Sequence, residues 1–290
     1  MNFHSDEWIM DKINEHLEES YQYFLQDEVV GIFNQGSGNY GLDYEESDID
    51  TKLIIVPSFY KIAMNKQPIS TTHFRANDEH IDFKDVRLYM QTFRKQNLNF
   101  LEILFTKYCL INDNYFDEWK KLVDAREEIA HMNLHQAVKA MQGVAKEKYH
   151  AMEHHYPKRM HMINKYGYDP KQLHHLLRIE DFISRYIAGV PYEECMIPLR
   201  GEYLVNVKRG CHSLEEARFL ADRSMSNIDE KAKIFLEKVE NKANPEMEEL
   251  LDEVQYNIMK IAVKKELGYG EVERESECCS GSTPEDVWGY

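Results

Sequence analysis

The stretch of sequence that decides the fold is VGIFNQGSGNYGLDYEESDIDTKLIIV, residues 30–56. It opens and closes with short apolar runs, which predict two β-strands, at 29–33 and at 48–56. The cluster Gly36-Ser37-Gly38 between them predicts a turn, because glycine adopts backbone conformations that other residues avoid. We therefore expect a strand, a glycine-rich turn leading into a short helix, and a second strand headed by acidic residues.

Two features of this segment suit phosphate and metal chemistry. Backbone N–H groups at the start of a helix attract phosphate oxygens, and Gly36 and the Ser37 hydroxyl stand at such a position. Asp48 and Asp50 are two residues apart in a predicted strand, so both side chains point to one face. Neighbouring carboxylates repel each other unless a cation lies between them, and hard oxygen ligands suit Mg²⁺, with Mn²⁺ as an alternative.

The third carboxylate of this predicted site is Asp82, which lies between Ile81 and Phe83 in a third predicted strand, 80–83. Three acids and a bound triphosphate can hold two metal ions about 4 Å apart, which activates a hydroxyl and stabilises leaving pyrophosphate. Asp85 is a nearby competitor, but its position predicts a cap on the helix that follows. Taken alone, each motif also fits a plain turn or a solvated strand edge. Their order and spacing together favour a site.

Gly36-Ser37, ten further residues, Asp48-Ile49-Asp50 and then Asp82 resemble the signature of the nucleotidyltransferase superfamily typified by DNA polymerase beta. Residues 81–86, 99–106 and 167–178 also look like an RNA-repair-associated branch of bacterial and phage members. Many members have arginine after the Gly-Ser pair, where this chain has Gly38. The resemblance covers roughly residues 28–190. It implies transfer of a nucleoside monophosphate from a nucleoside triphosphate to a hydroxyl, with an RNA or tRNA end as acceptor.

Beyond about residue 125 the strand signals nearly vanish, and the spacing predicts helices over 129–155, over 170–189, from 213 and after 245. We therefore predict an α+β chain. A nucleotidyltransferase fold with a small mixed β-sheet and helices would occupy 1–125, an all-α domain 126–268, and a flexible tail 269–290.

Further binding residues are predicted on both halves. Lys52 is two residues beyond Asp50, so it shares the carboxylate face and can reach a phosphate, or else it pairs with Glu45 or Glu46. On the helix after Pro170, residues three, four and seven apart form one polar face. This face predicts either a cationic clamp on triphosphate or RNA, or a solvated surface; its members are Lys171, His174, His175 and Arg178.

The net charge of −16 at pH 7 repels nucleic acid in general, yet residues 51–180 carry twenty bases and fifteen acids. Any RNA binding is therefore expected to be local. Five cysteines without a spacing pattern indicate a reducing cytoplasm. The chain has no apolar run near the ~20 residues that a membrane span needs, and no signal peptide is evident.

The acceptor and the biological role stay open at this point. The same residues could modify a protein hydroxyl or a small molecule, and a toxin or defence enzyme acting on tRNA or a protein would use them too. A catalytically silent nucleotide-binding regulator is a third hypothesis, which the three intact acids disfavour. The oligomeric state is open as well.

Overall fold

The computed structural model describes residues 3–75 and 79–268. Within these ranges the chain forms one five-stranded sheet, in the order β3-β4-β2-β1-β5. Strands β2 and β4 run parallel, and the other neighbouring pairs are antiparallel. The strands are β1 (Val29–Gln35), β2 (Asp50–Ile55), β3 (Ser70–Phe74), β4 (His80–Asp85) and β5 (Cys109–Ile111). A small mixed sheet with many helices is the coarse fold class that the sequence predicts.

Thirteen α-helices lie in the described part of the chain. They are α1 (Asp6–Ser20), α2 (Phe59–Ala63), α3 (Val86–Arg94), α4 (Leu98–Leu101), α5 (Phe116–Asp124), α6 (Arg126–Ala130), α7 (Leu134–Ala151), α8 (Met160–Tyr166), α9 (Pro170–Ile187), α10 (Tyr192–Met196), α11 (Gly201–Lys208), α12 (Leu214–Leu236) and α13 (Pro245–Glu266). None of them has the length and apolar character that crossing a bilayer requires.

Several helices begin at the capping residues that the sequence marks. Ser5 caps α1 and Asp169 caps α9, each through a side-chain oxygen that accepts a backbone N–H of the first turn. Ser213 and Glu216 form a capping box at the start of α12. Asp85 caps α3, as predicted, because its carboxylate accepts the backbone N–H of the second helical residue. Such caps satisfy N–H groups that lack a partner within the helix.

Other elements differ from the prediction. Strand β3 lies at the edge of the sheet with mostly exposed side chains, so it lacks an apolar pattern, and β5 has only three residues, too few to show a strand period. The helix predicted over 129–155 is broken into α6 and α7, because the Asn133 side chain caps a new helix start. Strand β2 begins at Asp50, so Asp48 lies just before the strand rather than inside it.

The sheet has two differently covered faces. One face packs against α1, where Ile9 and Ile13 join Ile32, Leu53 and Ile81 in a buried cluster. The opposite face contributes to the large core that continues into the helical half. Because side chains alternate along a strand, the even-numbered residues of β2 and β4 around the predicted acids share this second face.

The helical half is organised around α9, which packs against α7, α10, α11 and α12. The helix α13 packs back onto α3 and α5, burying Leu251, Val254 and Ile258. Arg94 of α3 contacts Asp252 of α13 at 2.6 Å. One hydrophobic cluster therefore includes residues of both halves. The division at residue 125 stays a prediction, and the tail predicted at 269–290 lies outside the described residues.

Candidate active site

The turn after β1 lies beside the start of β2. Gln35, the last residue of β1, is the register partner of Asp50, the first residue of β2. Gly36 follows with φ 92° and ψ −142°, a conformation that only glycine adopts readily. An added Cβ there would meet nothing within 4 Å, so backbone conformation and not space requires glycine. The predicted phosphate-binding turn and the predicted acids thus lie at one end of the interior strands β1, β2 and β4.

Side chains hold this turn in place. Ser37–Tyr40 forms a short 3₁₀ helix, and the Asn39 N–H donates to the Gly36 carbonyl at 3.0 Å. The Asn39 Oδ1 atom accepts from the Asn34 side chain at 3.0 Å and from the Thr106 hydroxyl at 2.6 Å. These bonds tie the turn to β1 and to the segment before β5, so its backbone is preorganised.

Asp50 and Asp82 lie on adjacent parallel strands, on the same face of the sheet. The Asp50 carboxylate accepts the His80 backbone N–H at 3.1 Å and lies 2.6 Å from His80 Nδ1. Burial lowers the pKa of His80, but the hydrogen bond and charge of Asp50 outweigh it, so the pKa is raised above its usual value. Asp82 accepts the Thr72 hydroxyl at 2.6 Å. Both carboxylates remain partly exposed.

Lys52 lies between these acids and the turn, with only 2% of its surface exposed. Its ammonium donates to the Gln35 side chain and lies 3.9 Å from the Asp82 carboxylate. It also lies 4.6 Å from the centroid of the Phe100 ring. Burial lowers the pKa of Lys52 to about 8, and the charge of Asp82 opposes that shift. Lys52 is therefore beside the carboxylates, and Glu45 pairs with Arg209 instead.

Asp48 is exposed and precedes the strand that carries Asp50. As the side chains stand, the described residues include no group of three or more His, Cys, Asp and Glu side chains arranged to hold a metal ion. The donor chemistry nevertheless fits a hard divalent cation. Asp50 and Asp82 offer carboxylate oxygens whose present partners are an imidazole, a hydroxyl and an ammonium, the kinds of positive or polarised group that a cation would replace.

The four predicted residues of α9 do not form one solvated face. Lys171 is partly exposed, whereas His174 and Arg178 are buried, because four other helices cover α9. The His174 Nδ1 atom lies 2.8 Å from the Leu204 carbonyl, and burial lowers the His174 pKa to about 3. Burial and the adjacent His174 also lower the pKa of His175. The imidazoles are therefore neutral near pH 7, and Lys171 and Arg178 carry the charge.

The structure adds a lysine to this region that sequence reasoning missed. Lys208 of α11 lies 4.4 Å from the centroid of the Tyr44 ring and 3.4 Å from the Ser47 hydroxyl. Burial lowers its pKa to about 8, and the charge of Lys171 lowers it further while Asp48 opposes. No motif surrounds Lys208, and 161 positions separate it from Ser47. No local signal could have identified it.

Arg159 is a second cation that the sequence did not mark. It donates to the Asp169 carboxylate through Nε at 2.7 Å and through Nη2 at 2.6 Å. These hydrogen bonds raise its pKa, burial opposes them, and the nearby Tyr44 and Asp48 add to the rise. Arg159, Lys171 and Lys208 thus form a cationic cluster beside the loop that ends at Asp48.

A buried carboxyl group lies under the turn. Glu102 accepts the Tyr40 hydroxyl, and the nearby Gly36 backbone and Asn39 side chain act to lower the pKa of its carboxyl. The guanidinium carbon of Arg178 lies 4.0 Å from the centroid of the Tyr40 ring. Burial raises the pKa of Glu102 to about 8, against the charge of Arg178. In the sequence, the feature that could have identified Glu102 is its position as the one acid inside the apolar run 100–105.

Known proteins give little guidance about this site. No protein-family model matches the chain, and no curated protein matches it. Among solved structures, a nucleotidyltransferase-like protein from Exiguobacterium sibiricum 255-15 is similar over 92% of this chain and 80% of that chain, at 12% sequence identity and a TM-score of 0.28. At that TM-score the likeness carries no conclusion about this chain.

Proposed function

We propose that this chain is a metal-dependent nucleotidyltransferase, which moves a nucleoside monophosphate from a nucleoside triphosphate to an acceptor hydroxyl and releases pyrophosphate. The observation that carries the proposal is one juxtaposition. Asp50 and Asp82 share a face on adjacent strands, and Asp50 lies opposite the residue that precedes the Gly36–Ser37 turn. A phosphate site and paired carboxylates at the same end of neighbouring strands suit a cation bound between them.

In this proposal Asp48, Asp50 and Asp82 hold Mg²⁺ or Mn²⁺. When bound, the ion supplies positive charge at the phosphate and lowers the pKa of the attacking hydroxyl. The Gly36 and Ser37 turn binds phosphate oxygens, for which its fixed backbone is preorganised.

Lys52 has a separate role in the proposal. Its ammonium is buried against the carboxylate face, where it balances charge at Asp82 and reaches toward a phosphate. A buried ammonium that already lies beside an acid loses little conformational freedom when a triphosphate binds.

The triphosphate tail or the acceptor backbone would contact the cationic cluster of Arg159, Lys171 and Lys208. Its support is the proximity of these cations to the loop that ends at Asp48. Arg178 is buried beneath the turn against Tyr40, so in this proposal its charge acts on the turn and not on the surface cluster. His174 and His175 stay predicted binding residues, and neutral rings would contribute hydrogen bonds and not charge.

An RNA or tRNA end is the proposed acceptor. What supports it is the resemblance of residues 81–86, 99–106 and 167–178 to an RNA-repair-associated branch. The acidic surface restricts such contacts to local cations, because most of the exterior repels phosphates.

The test uses each of four α-labelled nucleoside triphosphates with total RNA, in Mg²⁺ or in Mn²⁺. We expect the wild type to label RNA and to release pyrophosphate. Asp50→Ala should lower both by orders of magnitude, because it removes a proposed metal ligand. The variant should still fold, with a modest loss of thermal stability from the lost His80 contacts. The matched control is Asp11→Ala, an exposed acid on α1, which should retain full activity.

Two outcomes would contradict the proposal: full activity of Asp50→Ala, or no pyrophosphate release by the wild type with any triphosphate. Label found in protein instead of RNA would show that the acceptor is a protein hydroxyl. The proposed nucleotidyl transfer would then still hold.

A further inference from the structure

Glu102 is a buried acid that the proposed chemistry does not use. It begins the 3₁₀ turn Glu102–Leu104 and has 2% of its surface exposed. Its neighbours in sequence, Leu101 and Ile103, belong to the hydrophobic core. Burying a carboxyl group without full pairing costs free energy that an apolar side chain would not. The acid at this position therefore opposes stability, which indicates a role other than packing.

The groups that face Glu102 come from three other elements. The turn after β1 contributes the Gly36 backbone and the Tyr40 hydroxyl. The central helix α9 contributes the charge of Arg178, and α10 contributes Tyr192. Burial raises the Tyr192 pKa well above its usual value, and a guanidinium keeps its proton. Among these groups Glu102 is the one whose ionisation changes near pH 8.

Arg178 is held at this place without full pairing. It has 4% of its surface exposed, and its Nε and Nη1 atoms find no acceptor among the described residues. Its guanidinium lies over the Tyr40 ring, whose hydroxyl is bonded to Glu102. A buried cation with unused donors stabilises a negative charge nearby. Arg178 thus links the helical half to the turn through Tyr40 and Glu102.

We propose that Glu102 is the positioning residue of the phosphate-binding turn: it holds Gly36 and Tyr40 from beneath, and Arg178 supplies the charge that strengthens this hold. The inference rests on the proposed function, since it takes the turn as the phosphate site. The ionised carboxylate is a charged acceptor for the Tyr40 hydroxyl and favours the Gly36 backbone nearby. The protonated acid has weaker acceptors, so the glycine-only conformation of Gly36 is held less firmly.

Two lysines of the site complicate a simple pH profile. Lys52 and Lys208 also have pKa values of about 8, and they lose positive charge as the pH rises. Their deprotonation weakens triphosphate binding, whereas ionisation of Glu102 strengthens it. The informative quantity is therefore the ratio of wild-type affinity to that of Glu102→Gln at each pH, because the lysines are common to both proteins.

The experiment measures binding of the Mg²⁺ complexes of ATP, GTP, CTP and UTP by calorimetry from pH 6.5 to 9.5, together with KM and kcat. We expect the ratio of wild-type affinity to Glu102→Gln affinity to rise roughly tenfold over this range, the order of one hydrogen bond to a charged group. The effect should fall on KM more than on kcat, because the turn binds phosphates and not the attacking group. Glu128→Gln, an exposed acid on α6, should follow the wild type at every pH.

A second variant covers the case in which Glu102→Gln fails to fold. Tyr40→Phe removes one donor to the carboxylate and keeps the ring beneath Arg178, so its pH step should move to higher pH. Hydrogen exchange of the 36–41 backbone supplies a readout without nucleotide. After correction for intrinsic rates, protection should increase above about pH 8 in the wild type and not in Glu102→Gln.

The outcomes separate the two proposals. Wild-type protein that binds none of the four nucleotides at any pH would overturn the proposed function. A constant affinity ratio, or a Tyr40→Phe profile identical to that of the wild type, would overturn the positioning role while nucleotide binding stands.

Discussion

Replacing Glu102 by glutamine should leave stability almost unchanged at pH 5 and should increase it at pH 9.5. Burial raises the pKa of the folded-state carboxyl to about 8, from the ordinary value of 4.5 expected in the unfolded chain. Between these values the folded protein binds more protons than the unfolded chain, so wild-type stability falls as the pH rises through this window. Glutamine does not titrate and escapes this loss.

The size of this stability difference follows from the same shift in the pKa of Glu102. Each tenfold change in proton affinity corresponds to about 1.4 kcal/mol, so the change from 4.5 to about 8 sets an upper bound of roughly 5 kcal/mol. Buried sites relax and admit water around a charge, so we expect roughly 2 kcal/mol. The difference in the free energy of unfolding between the two proteins should develop above pH 4.5 and be complete just above pH 8.

The assay is urea unfolding at pH 5, 7 and 9.5, followed by tryptophan fluorescence, because Trp119 is fully buried. Glu128→Gln serves as the control, since an exposed acid should give the same small difference at each pH. A Glu102→Gln protein that is less stable than the wild type by a constant amount at all three pH values would refute the reasoning. That result would mean that Glu102 is ionised and stabilised by Arg178 throughout.

Two further predictions concern the proposed site. Asp82→Asn should lower kcat by orders of magnitude with little change in triphosphate affinity. Asp85→Ala should instead cost about 1 kcal/mol or more of stability, seen by thermal melting, because it removes the side chain that caps α3. The reverse pattern would show that the wrong carboxylate is assigned. Lys171→Ala combined with Lys208→Ala should weaken triphosphate or RNA binding severalfold and flatten its salt dependence. Lys120→Ala, whose ammonium pairs with Asp124 on α5, is the control, and equal behaviour of the two variants would place the polyanion contact elsewhere.

The parts of the fold that follow from local chemistry could be predicted from the sequence. The side chains of Ser5, Asp169 and Ser213 cap helices because a short polar residue precedes an amphipathic run, and both parts of that signal lie within a few positions. The alternation in β2 and β4 likewise puts Asp50 and Asp82 on one face. Strand β3 escaped prediction because its side chains are mostly exposed, so it lacks an apolar pattern.

The environment of the candidate site depends on long-range packing, which spacing does not encode. Helical spacing puts Lys171 and Arg178 on one side of α9, but it does not reveal that four helices cover most of that side. His174 is consequently a core residue whose Nδ1 atom contacts the Leu204 carbonyl, although a histidine beside Lys171 and His175 suggests a polar surface. The contact of Lys208 with Ser47 joins segments 161 positions apart. Such contacts follow from the assembled fold.

The return of α13 onto α3 and α5 has a consequence for the order in which the protein acquires its structure during synthesis. A ribosome releases the sheet and its acidic edge well before Leu251, Val254 and Ile258, the residues that cover α5. Until those residues emerge, the growing chain exposes the apolar surface of α3 and α5 that α13 covers, a state in which nascent proteins aggregate or recruit chaperones. Translation must therefore pass residue 258 before the core that supports the sheet can close.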